Sequence, residues 1–158
     1  MRICCPCHFG LESVLKFELV RLSAPNITAA DGRVSFDGDW NLVAAANISL
    51  TAAERVLIDL GTFSVKAQRG KTAFDPLFEG VMAAPLEEYI GRDDAILVKG
   101  SSLNSALHSV PACQSIVKKA AVKRLMQAYH TQTLPESGTQ KTLQFQIRND
   151  ICTLYLDT

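Results

Sequence analysis

Asp31-Gly32 lies between two short runs of strand character, Ile27–Ala30 and Arg33–Asp37. An Asp-Gly pair in that setting tolerates the backbone of a tight turn, so the two runs are expected to form a hairpin. That hairpin constrains what surrounds it. Before it, Arg2–His8 is a short β-type run. Leu11, Val14, Leu15, Leu19 and Leu22 then recur at helical spacing, with Glu12, Lys16 and Arg21 on other faces. Ser23-Ala24-Pro25-Asn26 ends that helix. After the hairpin, Asp39 is placed as N-cap of a second helix, Trp40–Leu50, with Trp40 expected as a core anchor. Arg55–Val65, rich in Val, Ile, Leu and Phe, reads as a strand. The order β-α-β-β-α-β is that of a ferredoxin-like unit, in which two helices cover one face of an antiparallel sheet.

Lys66–Lys71 is polar and basic and makes a natural boundary, dividing the chain into residues 1–66 and 67–158. In the second part, Phe74, Leu77, Phe78, Val81 and Met82 form the apolar stripe of a helix over Asp75–Tyr89, which Pro85 can split. A strand at Ile96–Lys99 follows, then a Ser- and Gly-rich loop, Gly100–Ser105. A strong helix starts at Pro111 or Cys113 and runs to about Tyr129. Beyond a polar loop lie two alternating strands, Thr142–Arg148 and Ile151–Leu156, joined at Asn149-Asp150. The fold class is α+β. The last strand runs nearly to Thr158, so further sequence is expected to follow.

With 47% hydrophobic and 20% charged residues, the chain has a globular composition. Its apolar runs are far shorter than the ~20 residues that span a bilayer, so no membrane partner is expected. Glu12, Lys16, Glu18 and Arg21 interrupt the N-terminal run and exclude a signal peptide, which places the protein in the cytoplasm. Cys4-Cys5-Pro6-Cys7-His8 lacks the paired spacing of a zinc site, and Cys113 and Cys152 stand far off. Five reduced, mostly buried thiols and no metal are expected.

The net charge is zero, but it is unevenly spread. Residues 1–94 hold 9 Lys/Arg against 13 Asp/Glu, and residues 95–158 hold 7 against 3. From Ala95 to Pro135 there are five basic residues, Lys99, Lys118, Lys119, Lys123 and Arg124, and no acidic one. Local clustering matters more than net charge for binding phosphate. Lys119 and Lys123 form an i, i+4 pair whose repulsion a polyanion would relieve. The start of their helix offers free N–H groups and a positive dipole end. Ser101, Ser102 and Gln114 can add hydrogen bonds. Phosphate contacts set register without reading sequence, so recognition of RNA shape is expected.

Several runs then carry a resemblance. Phe9-Gly10-Leu11-Glu12 with Leu15 and Glu18-Leu19, then Gly32-Arg33-Val34-Ser35-Phe36, resemble the N-terminal ferredoxin-like region of the bacterial rRNA guanine-N2 methyltransferases, long labelled N6-adenine DNA methylases. Val98-Lys99-Gly100, Cys113-Gln114, Ile116-Val117-Lys118-Lys119-Ala120 and Ile151–Asp157 resemble that family's THUMP domain. The resemblance covers essentially the whole chain, in order. It implies a ferredoxin-like domain followed by a THUMP α/β domain, both capturing structured RNA, ribosomal RNA first. It also implies that a Rossmann-like catalytic domain binding S-adenosylmethionine is missing here, so this stretch holds no cofactor and is not itself an enzyme. The RNA-binding residues so implied are Lys99, Ser101, Ser102, Gln114, Lys118, Lys119, Lys123 and Arg124.

Asp75-Pro76-Leu77-Phe78 approaches the family's catalytic Asp/Asn-Pro-Pro-Tyr/Phe motif but lacks the second proline. It is read instead as a helix start, with Asp75 as N-cap and Pro76 at the first helical position. No Gly-x-Gly cofactor loop follows a strand. Three other readings remain open: the RNA-binding part of a tRNA thiouridine synthase or tRNA methyltransferase, a thiol enzyme using Cys113 with His108 or His130, and a protein-interaction adaptor.

Overall fold

The computed structural model describes every residue, Met1–Thr158, as two compact units: residues 1–59 with 156–158, and residues 60–155. The first unit holds β1 (Arg2–Pro6), α1 (Glu12–Arg21), β2 (Thr28–Ala30), β3 (Arg33–Asp37), α2 (Trp40–Ser49) and the start of β4 (Leu57–Ser64). Its strands lie in the order β2-β3-β1-β4, with β1 antiparallel to both neighbours. The βαββαβ expectation holds. Ile3, Cys5, Val34 and Phe36 on the strands meet Leu15, Leu19, Val43 and Ala46 from the helices in one core.

The Asp31-Gly32 turn forms with positive φ only at Gly32 (71°), and Ala30 pairs with Arg33 across it. Glu12 ties this hairpin to the loop after β1, its carboxylate accepting the Gly32 and Gly10 N–H groups, each at 2.9 Å. Those bonds, the Gly32 one foremost, hold the Glu12 carboxyl below its usual range. Asp39 caps α2 as expected, accepting the Leu42 N–H at 2.9 Å.

Two expectations fail in this unit. Trp40 is 54% exposed and anchors no core, because the first residue of α2 lies on its outer side. Val14 is 48% exposed. At 100° per residue, burying Leu15 and Leu19 turns Val14, Phe17 and Val20 toward solvent.

The second unit holds the rest of β4, α3 (Asp75–Ala83), a 3₁₀ turn (Leu86–Glu88), β5 (Ala95–Leu103), α4 (Val110–Ala128), β6 (Gln140–Arg148) and, as far as Tyr155, β7 (Ile151–Asp157), with strand order β4-β7-β6-β5. Pro85 does split the helical stretch. Leu143, Phe145 and Ile147 alternate along β6 as its buried face, matched on β5 by Ile96 and Val98. Leu77, Val81, Val117, Ala121 and Leu125 supply the buried faces of α3 and α4. Asn149 and Asp150 both take positive φ (52° and 58°), the conformation of the tight two-residue hairpin.

Asp75 does not cap α3. The helix begins at Asp75 itself, and its carboxylate instead accepts the Thr72 N–H at 2.8 Å. Pro76 is therefore the second helical residue, one place later than expected, where its missing N–H still costs the helix nothing. The Gly100–Ser105 loop is the larger correction, since β5 continues through Gly100 to Leu103. Gly100 pairs with Phe145 on β6, and a Cβ there would stand 2.4 Å from Phe145 Cε1. The glycine makes room for a ring rather than a turn. No helix is long and apolar enough to cross a membrane.

Candidate nucleic-acid interface

Seven of the eight residues picked from the sequence go to three different places in the second unit, and Arg124 goes to a fourth. The first is the outer edge of β5, the last strand in the sheet order. An edge strand exposes unpaired backbone groups that invite another chain. Gln114 Nε2 donates to the Val98 carbonyl at 3.1 Å, and Lys118 Nζ to the Ile96 carbonyl at 2.6 Å. Glu136 accepts the Ile96 N–H at 3.1 Å and closes an ion pair with Lys118. Lys118 foremost, then the Ile96 N–H, holds the Glu136 carboxyl below its usual range. One helix flank and one loop carboxylate thus seal this stretch of β5. Ser102 is also engaged, its hydroxyl donating to the Leu107 carbonyl at 2.6 Å.

Arg124 is spent on the fold as well. Its Nε donates to Glu87 at 2.9 Å, a second nitrogen closes the pair, and Nη1 reaches the Met82 carbonyl at 3.1 Å. Those bonds draw the Glu87 carboxyl down and hold the guanidinium in its charged form. The stretch 95–135 is acid-free in sequence but not in space, because Glu87 and Glu136 reach it from either side.

Lys119 and Lys123 occupy the second place. Both are exposed on the outer face of α4 and neither forms an ion pair. Lys123 Nζ sits 5.5 Å from the centroid of the Phe78 ring on α3, a cation–π contact that leaves the charge at the surface. The start of the same helix offers less than its sequence promised. Ser109 caps the Ala112 N–H at 3.4 Å, and Pro111 has no N–H to give.

The third place is the sheet face turned away from α4. Along β5, Lys99 and Ser101 alternate with the buried Ile96 and Val98 and are exposed there. Arg148, at the end of β6, shares that face through the Leu103–Arg148 register and is exposed and outside every ion pair. Sequence reasoning passed over Arg148. The period-two run Gln144, Gln146, Arg148, set between Leu143, Phe145 and Ile147, was the signal that could have found it.

The thiol reading finds no support in this geometry. Cys113 is fully buried, its Sγ lies 3.7 Å from the Leu107 carbonyl, and burial raises its pKa. An activated thiol needs the opposite shift. No group of three or more His, Cys, Asp or Glu side chains is placed to hold a metal ion.

Residues 71–157 match the THUMP domain family. This chain belongs to that family. Residues 2–57 match the RlmL ferredoxin-like domain, so the expected order of a ferredoxin-like domain followed by a THUMP domain holds. Over 151 residues, 94% of this chain and 37% of the relative, the sequence is 31% identical to "Putative RNA methyltransferase YpsC" of Bacillus subtilis (strain 168). It is 29% identical to "Ribosomal RNA large subunit methyltransferase K/L" of Cellvibrio japonicus (strain Ueda107), covering 73% of this chain and 15% of that one. A solved structure described as "a predicted N6-adenine-specific DNA methylase" from Listeria monocytogenes superposes with a TM-score of 0.91 at 37% identity, over 99% of this chain and 40% of that chain. This THUMP-containing chain therefore spans well under half the length of each of these relatives.

Proposed function

We propose that this chain captures structured RNA, ribosomal RNA in the first place, for a cytoplasmic methyltransferase that modifies guanine N2. The observation that carries the RNA reading is the exposed, unpaired Lys119–Lys123 pair on α4 of a THUMP domain. The names of the two curated relatives support methylation and a ribosomal target. The residues present do not fit S-adenosylmethionine. Leu77, inside the one stretch that approaches a catalytic motif, is fully buried in a helix. No glycine loop follows a strand to cradle the cofactor. Methyl transfer is therefore assigned to a further domain, as the greater length of the relatives supports.

Reversing both charges, Lys119→Glu with Lys123→Glu, tests the reading with a stem-loop of ribosomal RNA as probe. Affinity should fall at least about tenfold, and wild-type binding should weaken steeply as salt rises. Unchanged affinity in the double variant would sink the assignment of this face.

A further inference from the structure

The two strands farthest from β4 in the second unit, β5 and β6, contain Lys99, Lys141 and Arg148 and not one Asp or Glu. Their buried face is built from Ile96, Val98, Leu143, Phe145 and Ile147. On the opposite face the parallel register sets Lys99 beside Gln144, Ser101 beside Gln146 and Leu103 beside Arg148. Leu97 and Leu103 stand 38% and 62% exposed at either end.

We infer that this face of β5 and β6 holds an unpaired stretch of the RNA strand. The inference rests on the RNA-capture reading and says which part of the RNA lies where. Charge selects a polyanion, since Lys99 and Arg148 face it with no carboxylate on either strand to compete. Their Cα atoms are separated by one strand spacing and four residues of rise, roughly 14 Å, so they engage phosphates that are not adjacent. Within that span lie two amides and a hydroxyl, with an exposed leucine at either end. Such a surface meets Watson–Crick edges and base faces, and a strand offers those only where it is unpaired. A duplex ties up its Watson–Crick edges in pairing and its base faces in stacking and leads with its phosphates and 2′-hydroxyls, which suits the outward lysines of α4 better. No exposed aromatic side chain lies on these two strands, so stacking contributes little and binding depends chiefly on phosphates.

The test uses the whole chain and fluorescence anisotropy with two probes, a short unstructured oligouridylate and a fully paired RNA hairpin. The sheet variant is Lys99→Gln with Arg148→Gln, and the helix variant is Lys119→Gln with Lys123→Gln. The sheet variant is expected to bind the oligouridylate about tenfold or more weakly, with the slope of log affinity against log salt shallower by about 1.4 for two lost charges. Its hairpin affinity should change by no more than about threefold. Ser101→Lys, which adds a cation at an exposed position of the same face, should tighten the oligouridylate. If the sheet variant binds the oligouridylate like wild type while the helix variant loses the hairpin, the sheet-face inference falls and RNA capture stands. If neither variant changes either probe, both fall. Unchanged melting of the sheet variant separates lost binding from lost folding.

Discussion

Gly100→Ala separates two accounts of the Lys99-Gly100-Ser101 run. Read as a loop, the glycine would let backbone approach a phosphate. In the structure it is a mid-strand residue under an aromatic ring. An alanine Cβ would lie 2.4 Å from Phe145 Cε1 and 2.5 Å from both Cδ1 and Cζ. Ordinary contact begins near 3.4 Å, so the ring would have to retreat by about 1 Å. Phe145 is 1% exposed on the buried face of β6 that it shares with Leu143 and Ile147, which leaves it little room to move. Overpacking of this kind costs about 1–3 kcal/mol. The stiffer unfolded chain returns about 0.4–1 kcal/mol. The net loss should be about 1–2 kcal/mol, or a Tm lower by roughly 2–8 °C. Urea and thermal unfolding followed by far-ultraviolet circular dichroism measure it. Adding Phe145→Leu should relieve the clash, so the double-mutant cycle should show a coupling of at least about 1 kcal/mol. Wild-type stability with lost RNA binding would refute the packing account, and so would a strictly additive cycle.

Three further outcomes are expected. Arg124→Ala should destabilise by about 1 kcal/mol, because it leaves the half-buried Glu87 without its partner, while Lys119→Ala should cost less than about 0.5 kcal/mol. Equal losses in a denaturant titration would contradict the division of these cations into fold and surface. Stability should hold from neutral pH down to about 5 and then fall. The folded-state pKa values of Glu87 and Glu136 lie below the ordinary 4.5, so their contribution is present above that value and is lost as pH drops through the lowered ones. Urea midpoints flat from pH 5 to pH 3 would overturn that reasoning. All five cysteines are buried, and burial pushes the thiols of Cys5 and Cys152 up to about 12. Native protein at pH 8 should therefore react slowly with a thiol reagent and release all five on unfolding, whereas a fast Cys113 would revive the thiol-enzyme reading.

The first unit was legible because its signals are local. A turn dipeptide, an N-cap Asp and two apolar periods each act within a few residues, and they agree on one order of elements. What escaped there were choices made by the third dimension. Trp40 is apolar enough for a core, but its position in the first turn of α2 turns it outward. In the second unit, Gly100 and two serines resembled a loop because glycine and serine are poor strand formers. Phe145, more than forty residues downstream, overrides that preference by filling the space a side chain would have taken.

The candidate site was legible by location and misleading by residue, and one physical cause covers both results. Charge clustering in sequence marks a segment whose environment is unusual, but it does not say whether the answering negative charge comes from a ligand or from the protein. Lys118 and Arg124 find Glu136 and Glu87 across 18 and 37 residues of chain. Those carboxylates lie outside the basic window, so the window looks acid-free. Gln114 and Lys118 face β5 because they sit four apart on one flank of α4, a turn apart like the two carbonyls they meet two residues apart on the strand. Lys119 and Lys123 have the same spacing, rotated by one residue, and that 100° step carries them away from the sheet into solvent. A shift of one position along a single helix thus decides which lysine serves the fold and which remains for a polyanion. Lys119→Glu and Lys118→Glu, identical in charge and adjacent in sequence, should therefore fail differently. The first should lose RNA binding at unchanged Tm. The second should lower the Tm, because the carboxylate it introduces would face Glu136 across the edge of β5 where an ion pair now stands.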